Sequence, residues 1–146
     1  LAVVLDLFSR KVIGWASHQR IDAELVVNAL LMALRKRQPR SEVLVHSDQG
    51  VQYTSELCQH FMKSHRLKSS MSRRGNCHDN AVAESFFQLL KRKWIKRHIY
   101  KTRAEAKSDI FNYIEMFYNP KRRHSACDNL APVAYENAWN LRHQTV

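Results

Sequence analysis

A chain of 146 residues can close one hydrophobic core and is short for two, and 45% hydrophobic with 10% aromatic residues excludes a disordered polymer. The net charge of +11 selects a polyanionic partner, with nucleic acid first among them. That charge is uneven: residues 51–100 hold ten basic against three acidic groups, +7 of the total, while each flanking stretch holds seven against five.

Three scattered cysteines, Cys58, Cys77 and Cys127, form no C-x-x-C pair and suit the reduced thiols of a cytoplasmic chain. The most apolar stretch, Leu25 to Leu34, contains Asn28 and is too short to cross a bilayer, so no membrane partner is expected. The chain opens at Leu1 inside an apolar run, as a fragment would.

Leu1 to Phe8 is short, apolar and β-branched, and Val12 to Ala16 resumes the pattern after Ser9, Arg10 and Lys11, which predicts a hairpin. Asp6, a carboxylate inside that run, is expected to cap the turn through the Ser9 and Arg10 amides. Asp22 is placed to cap a helix with Glu24 in its first turn. Leu25, Val26, Ala29, Leu30, Ala33 and Leu34 repeat at helical spacing until the basic end Arg35 to Arg37, and Pro39 stops the run. A strand over Glu42 to Ser47 follows, giving the order β–β–α–β.

That strand ends in Asp48, and Gly50 lets the chain turn away, an arrangement that presents a carboxylate at the carboxyl edge of a sheet. Thr54 or Ser55 can cap the next helix, with Leu57, Cys58, Phe61 and Met62 toward the core. Cys58, His60 and His65 match no standard zinc spacing. Lys68 to Asn76 is polar and then glycine-containing, and is expected to be a mobile basic loop whose Arg73 and Arg74 grip phosphates.

Asp79 or Asn80 can cap a further helix whose core face is Val82, Phe86, Leu89 and Leu90. On another face Asn80, Glu84, Gln88 and Lys91 fall in file, and Arg92, Lys93, Lys96 and Arg97 extend the basic track. Thirty-five residues separate Asp48 from Glu84. Two hard oxygen ligands on separate rigid elements suit Mg2+, which prefers carboxylates and retained waters. Thr102 and Glu105 form a capping box for a helix burying Ala106, Ile110, Tyr113 or Ile114, and Phe117, with Asn119 and Pro120 as its end. The cluster Lys121 to His124 is equally compatible with DNA contact and with plain solvation. Pro132 opens a last helix with Tyr135 and Trp139 turned inward. No linker or repeat divides the chain, and one domain is expected.

Three motifs carry a resemblance: His46-Ser47-Asp48-Gln49-Gly50 through Gln52-Tyr53-Thr54-Ser55, Asp79-Asn80-Ala81 through Ala83-Glu84-Ser85-Phe86-Phe87, and Tyr118-Asn119-Pro120 through Arg122-Arg123-His124. Together they resemble the OrfB-type transposases of bacterial insertion sequences, which are similar to retroviral integrases, and Val3 to Lys11 resembles the family's second-strand motif. The resemblance implies an α/β, RNase H-like mixed sheet flanked by helices. It also implies that residues 1–146 are an integrase core truncated at its N-terminus, with a helical extension from about residue 100.

Asp48 and Glu84 would be the second and third acids of a D-D-E metal triad holding two Mg2+ or Mn2+ ions, and Lys91 the basic residue at the DNA end. The first acid belongs to a strand before the one bearing Asp6 and is missing here. The implied activity is DNA strand cleavage and transfer during transposition, by a homo-oligomer acting on transposon ends and target DNA in the bacterial cytoplasm. A related metal-dependent nuclease and an inactive DNA-binding remnant are the alternatives.

Overall fold

The computed structural model describes residues 1–47, 50–71 and 80–144. The chain divides into two compact units, one of Leu1–Val4 with Ile13–Glu84 and one of Leu5–Val12 with Ser85–Val146. Strands β1 (Ala2–Leu5) and β2 (Val12–Ala16) pair as a two-stranded sheet, and their connection is far too short for a parallel crossover, so they form the expected hairpin.

In the first unit, helix α1 (Ala23–Arg37) starts where the sequence places it, because the Leu25 amide donates to Asp22 Oδ1 at 3.0 Å. It ends at Gln38, which takes a left-handed φ of 45° and returns its amide to the Leu34 carbonyl ahead of Pro39. Leu25, Val26, Ala29, Leu30 and Ala33 are buried. Strand β3 (Val43–Ser47) runs parallel to β4 (Leu67–Met71), with Val43 opposite Leu67 and His46 opposite Ser70. The alternating valines Val43 and Val45 pack on a core of Val26, Leu30, Cys58, Met62 and Leu67.

Strand β4 corrects an expectation, since Lys68 onward reads as loop. Its hydrogen bonds come from long-range pairing with β3; Leu67 is buried, Ser70 half-buried, and Lys68 and Ser69 face solvent. Polarity therefore hides a strand that tertiary pairing makes. A single turn α2 (Val51–Thr54) follows Gly50, and α3 (Glu56–Ser64) is capped by Ser55, whose Oγ accepts from the Cys58 amide at 3.2 Å. Cys58 and Met62 are buried, but Leu57, expected inside, is 53% exposed. It stands about 100° round the helix from Cys58, beyond the narrow buried stripe.

The second unit begins at the hairpin turn. Asp6 Oδ1 accepts from the Phe8 and Ser9 amides at 2.8 and 3.3 Å, and the Asp6 carbonyl accepts from the Arg10 amide at 2.8 Å. Asp6 thus caps its turn, with Phe8 in place of Arg10 on the side chain. Helix α4 (Ala81–Lys93), which both units share, passes into a short 3-10 turn at Ile95–Arg97. Helix α5 (Arg103–Phe111) is capped by Thr102, whose Oγ1 accepts from the Glu105 amide at 3.2 Å; the Glu105 carboxylate accepts from Lys101 instead of the cap residue's own amide.

The chain then widens into a π-helical segment, Asn112–Tyr118, and closes with α6 (Asn119–Lys121). The helical path therefore continues past Asn119 and Pro120, where an end was expected. Pro120 occupies the first turn after the widening, where a missing amide costs little. Phe86, Leu90, Tyr113, Ile114, Tyr118, Asn119 and Cys127 are buried. In α7 (Pro132–His143) Tyr135 is half-buried, 5.1 Å from the Phe8 ring, but Trp139 is 42% exposed. Trp139 touches Phe8 by one edge and stacks on His143 one turn away, so its ring lies along the helix and not inward.

Candidate active site and nucleic-acid face

Helix α4 shows how the sequence builds its functional side. Phe86 and Leu90 are 1% exposed and Val82 and Leu89 half-buried, which fixes the rotation of the helix about its axis. On the other side Glu84, Gln88 and Lys91 are all exposed. At about 100° per residue these three lie within roughly 60° of one another, so the carboxylate, amide and ammonium form one file. Asn80 stands directly before the helix, half-buried, and its carbonyl accepts from the Glu84 amide at 3.0 Å. That bond places Asn80 at the helix start, and it belongs to the same file.

Glu84 sits in the first turn, where the amide dipoles favour negative charge, and Lys91, Arg92 and Lys93 sit in the last turn, where they favour positive charge. Lys96 and Arg97 continue the exposed basic series on the 3-10 turn. Among the described residues no hydrogen bond or ion pair engages the Glu84 carboxylate. It is a hard oxygen donor open to an approaching cation.

Asp48, Arg73, Arg74 and Asp79 lie outside the described residues. Asp48 directly follows Ser47, the last residue of β3. His46, two residues earlier, is half-buried, with Nδ1 3.4 Å from Ser70 Oγ and Nε2 buried without a partner among the described residues. The motif containing His46 was legible, but its pairing with β4 was not, because β4 itself was not. Among the described residues no group of three or more His, Cys, Asp or Glu side chains could hold a metal ion.

The Tyr118 to His124 motif divides into two. Lys121 and Arg123 are exposed, whereas Arg122 and His124 are half-buried and Tyr118 and Asn119 are 2% exposed. The Asn119 side chain grips β2 twice: Oδ1 accepts from the Val12 amide at 2.9 Å, and Nδ2 donates to the Val12 carbonyl at 3.0 Å. Burial, then the Arg122 and Arg10 charges, push the His124 pKa from about 6.5 down to about 4, so the ring is neutral near pH 7. A cluster read as equally suited to DNA or solvent is thus half interior. The signal available beforehand was periodicity: Tyr118 falls in helical phase with Ile114, four residues earlier.

Comparison with known proteins agrees with this architecture. The integrase core domain family matches residues 1–77, and a second integrase core domain pattern matches residues 84–139. The transposase for insertion sequence element IS904 of Lactococcus lactis is 46% identical over 136 residues, covering 93% of this chain and 54% of that protein. Transposase InsF for insertion sequence IS3A of Escherichia coli is 47% identical over 137 residues, covering 94% of this chain and 48% of that protein. The chain thus spans about half the length of the curated relatives it matches.

Among solved structures, a chain of the simian T-cell lymphotropic virus intasome in complex with PP2A regulatory subunit B56 gamma superposes with a TM-score of 0.67 at 18% identity, covering 91% of this chain and 46% of that one. The catalytic core domain of BIV integrase superposes at 0.54 with 17% identity, covering 86% and 78%. These likenesses establish an RNase H-like α/β fold. The chain belongs to the integrase core domain family, and its sequence relatives are insertion-sequence transposases.

Proposed function

We propose that this chain carries the catalytic core of a DNA transposase that cuts and joins strands during transposition of an insertion sequence. The observation that carries the reading is the file of Glu84, Gln88 and Lys91, exposed on one side of α4 in a chain 46–47% identical to proteins named as transposases. The matches to residues 1–77 and 84–139 support treating residues 1–146 as one functional core, with the helices after about residue 100 as its extension.

Asp48 and Glu84 would hold the divalent ion, Mg2+ or Mn2+, as two of three D-D-E carboxylates, and the open carboxylate of Glu84 fits that part. When bound, such an ion activates the entering oxygen and neutralises charge on the leaving one. The new bond to phosphorus forms from water in cleavage, or from a 3′-hydroxyl in joining, while the bond to the leaving oxygen breaks.

Lys91, Arg73 and Arg74 would hold backbone phosphates, and Gln88 and Asn80 would add uncharged contacts along the same helix; such contacts position DNA without reading its sequence. The intasome likeness supports a homo-oligomer on DNA, bringing transposon ends to target. Action on DNA places the work in the bacterial cytoplasm at the nucleoid, and no helix among the described residues is long and apolar enough to cross a membrane.

In the complete protein, Asp48→Asn and Glu84→Gln are each expected to lower strand cleavage by at least a hundredfold while leaving DNA affinity within about threefold. Cleavage of a labelled transposon end, with binding measured in parallel, checks both. Normal cutting by both variants would remove the assignment. An assay for joined product distinguishes a transposase from a nuclease of the same fold.

A further inference from the structure

Resting on the reading of Glu84 as a catalytic carboxylate, we propose that Tyr118 and Asn119 are positioning residues that set the helix carrying it. The motif that contains them ends in a basic cluster equally compatible with DNA contact and with solvation, yet its first two residues are interior and face a different task.

The chain of contacts is continuous within the second unit. Asn119 meets both the amide and the carbonyl of Val12, so its side chain takes the place of a neighbouring strand beside β2. Val12 itself is fully buried, and water has no access to replace either bond. Next to Asn119, the Tyr118 ring meets Phe86 edge-on with centroids 5.0 Å apart, and Tyr113 meets Phe86 in the same manner at 6.0 Å. Phe86 is 1% exposed on α4, two residues beyond Glu84.

The π-helical widening is what brings adjacent residues to two different targets. The Asn119 amide bonds back to the Ile114 carbonyl, and the Arg122 amide to the Phe117 carbonyl, both five residues earlier. This slack lets the Tyr118 side chain meet α4 while Asn119 meets β2. Insertions of π-helix within α-helices recur at functional sites.

A helix held at Phe86 by edge-on rings, and backed by a doubly bonded strand, cannot roll about its axis without breaking one of these contacts. Rolling is the motion that would turn the whole file, Glu84 included, away from the side on which it is exposed. The consequence for chemistry is large, because a displacement near 1 Å at a reacting centre costs roughly a hundredfold in rate.

The test uses the complete protein and a labelled transposon end. Asn119→Asp keeps the acceptor for the Val12 amide and removes the donor to the Val12 carbonyl. Phe86→Leu keeps an apolar side chain and removes the edge contact at the other end of the clamp. Each is expected to lower the cleavage rate at saturating DNA roughly tenfold to a hundredfold, with the DNA concentration for half-maximal rate unchanged. Amide hydrogen exchange is expected to quicken in α4 and at Val12 ahead of the α1 and α3 amides.

Met62→Ala, in the core of the other unit, is the control: it lowers thermal stability with cleavage retained at temperatures where it stays folded. Should Asn119→Asp fail to fold, Phe86→Leu decides. Full cleavage rates in a folded clamp variant, while Glu84→Gln is inactive, would overturn the positioning role and leave the function standing. Normal cleavage by Glu84→Gln would instead remove the reading on which it rests.

Discussion

His124 shows what burial does to a single residue. Its ring meets Tyr118 edge-on at 5.2 Å, its Nε2 is sealed from solvent with no partner among the described residues, and Arg122 and Arg10 add positive charge nearby. A proton that the unfolded chain accepts near pH 6.5 is refused by the folded chain until about pH 4. Between those values the unfolded state binds more protons, so stability is complete above about pH 6.5 and is lost as the pH falls toward 4. His124→Gln is expected to flatten this acid-side loss by on the order of 1 kcal/mol, solvent screening having reduced the full effect. Urea unfolding of both proteins between pH 7.5 and 4.5 measures it, and parallel pH profiles would contradict the assignment. The buried thiols of Cys58 and Cys127 are likewise shifted by burial, upward, which keeps them protonated and unreactive.

At the scale of elements, the approach of β2 to α1 depends on the absence of a side chain. A Cβ added to Gly14 would lie 2.1 Å from the Ala29 carbonyl oxygen and 2.9 Å from the Ala33 Cβ. The two alanines on α1 and the glycine on β2 form one contact, and backbone on one side cannot move aside as a long side chain could. Gly14→Ala is therefore expected to cost about 3 kcal/mol or more, at the upper end of overpacking penalties. Thermal or urea unfolding of the variant reads this directly, and a loss below about 0.5 kcal/mol would mean that strand and helix part easily. The helix α4 obeys a second rule of elements. Its buried residues Phe86 and Leu90 determine by exclusion which side chains face outward, so the file of Glu84, Gln88 and Lys91 follows from packing on the opposite side.

For the molecule as a whole, charge carries the argument. Of the +11 total, +7 falls in residues 51–100, and the described part of that excess includes the exposed Lys91, Arg92, Lys93, Lys96 and Arg97. A surface that neutralises several phosphates releases their counterions, so affinity for DNA is expected to fall at least tenfold between 50 and 200 mM salt. Titration of a labelled duplex at several salt concentrations gives the slope. Replacing Lys91 alone should reduce the slope by about one while weakening binding to all sequences alike. A flat salt response would remove the phosphate track, and the basic residues would then serve only solubility.

Much of this was written in the chain. Local signals determined the α1 cap at Asp22, the α5 cap at Thr102, the turn at Asp6 and the two faces of α4, because each depends on residues within one or two turns of one another. The family was legible for a related reason, since the motifs around Asp48, Glu84 and Tyr118 combine residue types and spacing that few folds require. Tertiary structure decided the rest. Strand β4 exists because β3 offers a parallel partner, against the polarity of Lys68, Ser69 and Ser70. The helical path runs past Pro120 because a π-helical widening shifts its hydrogen bonding, and it turns Asn119 from a helix end into a partner for Val12. Leu57 and Trp139 stayed outside because a buried stripe is as wide as the neighbours that cover it, and periodicity gives only its direction. Sequence pattern states which residues prefer company; only the folded chain supplies the partners that satisfy them.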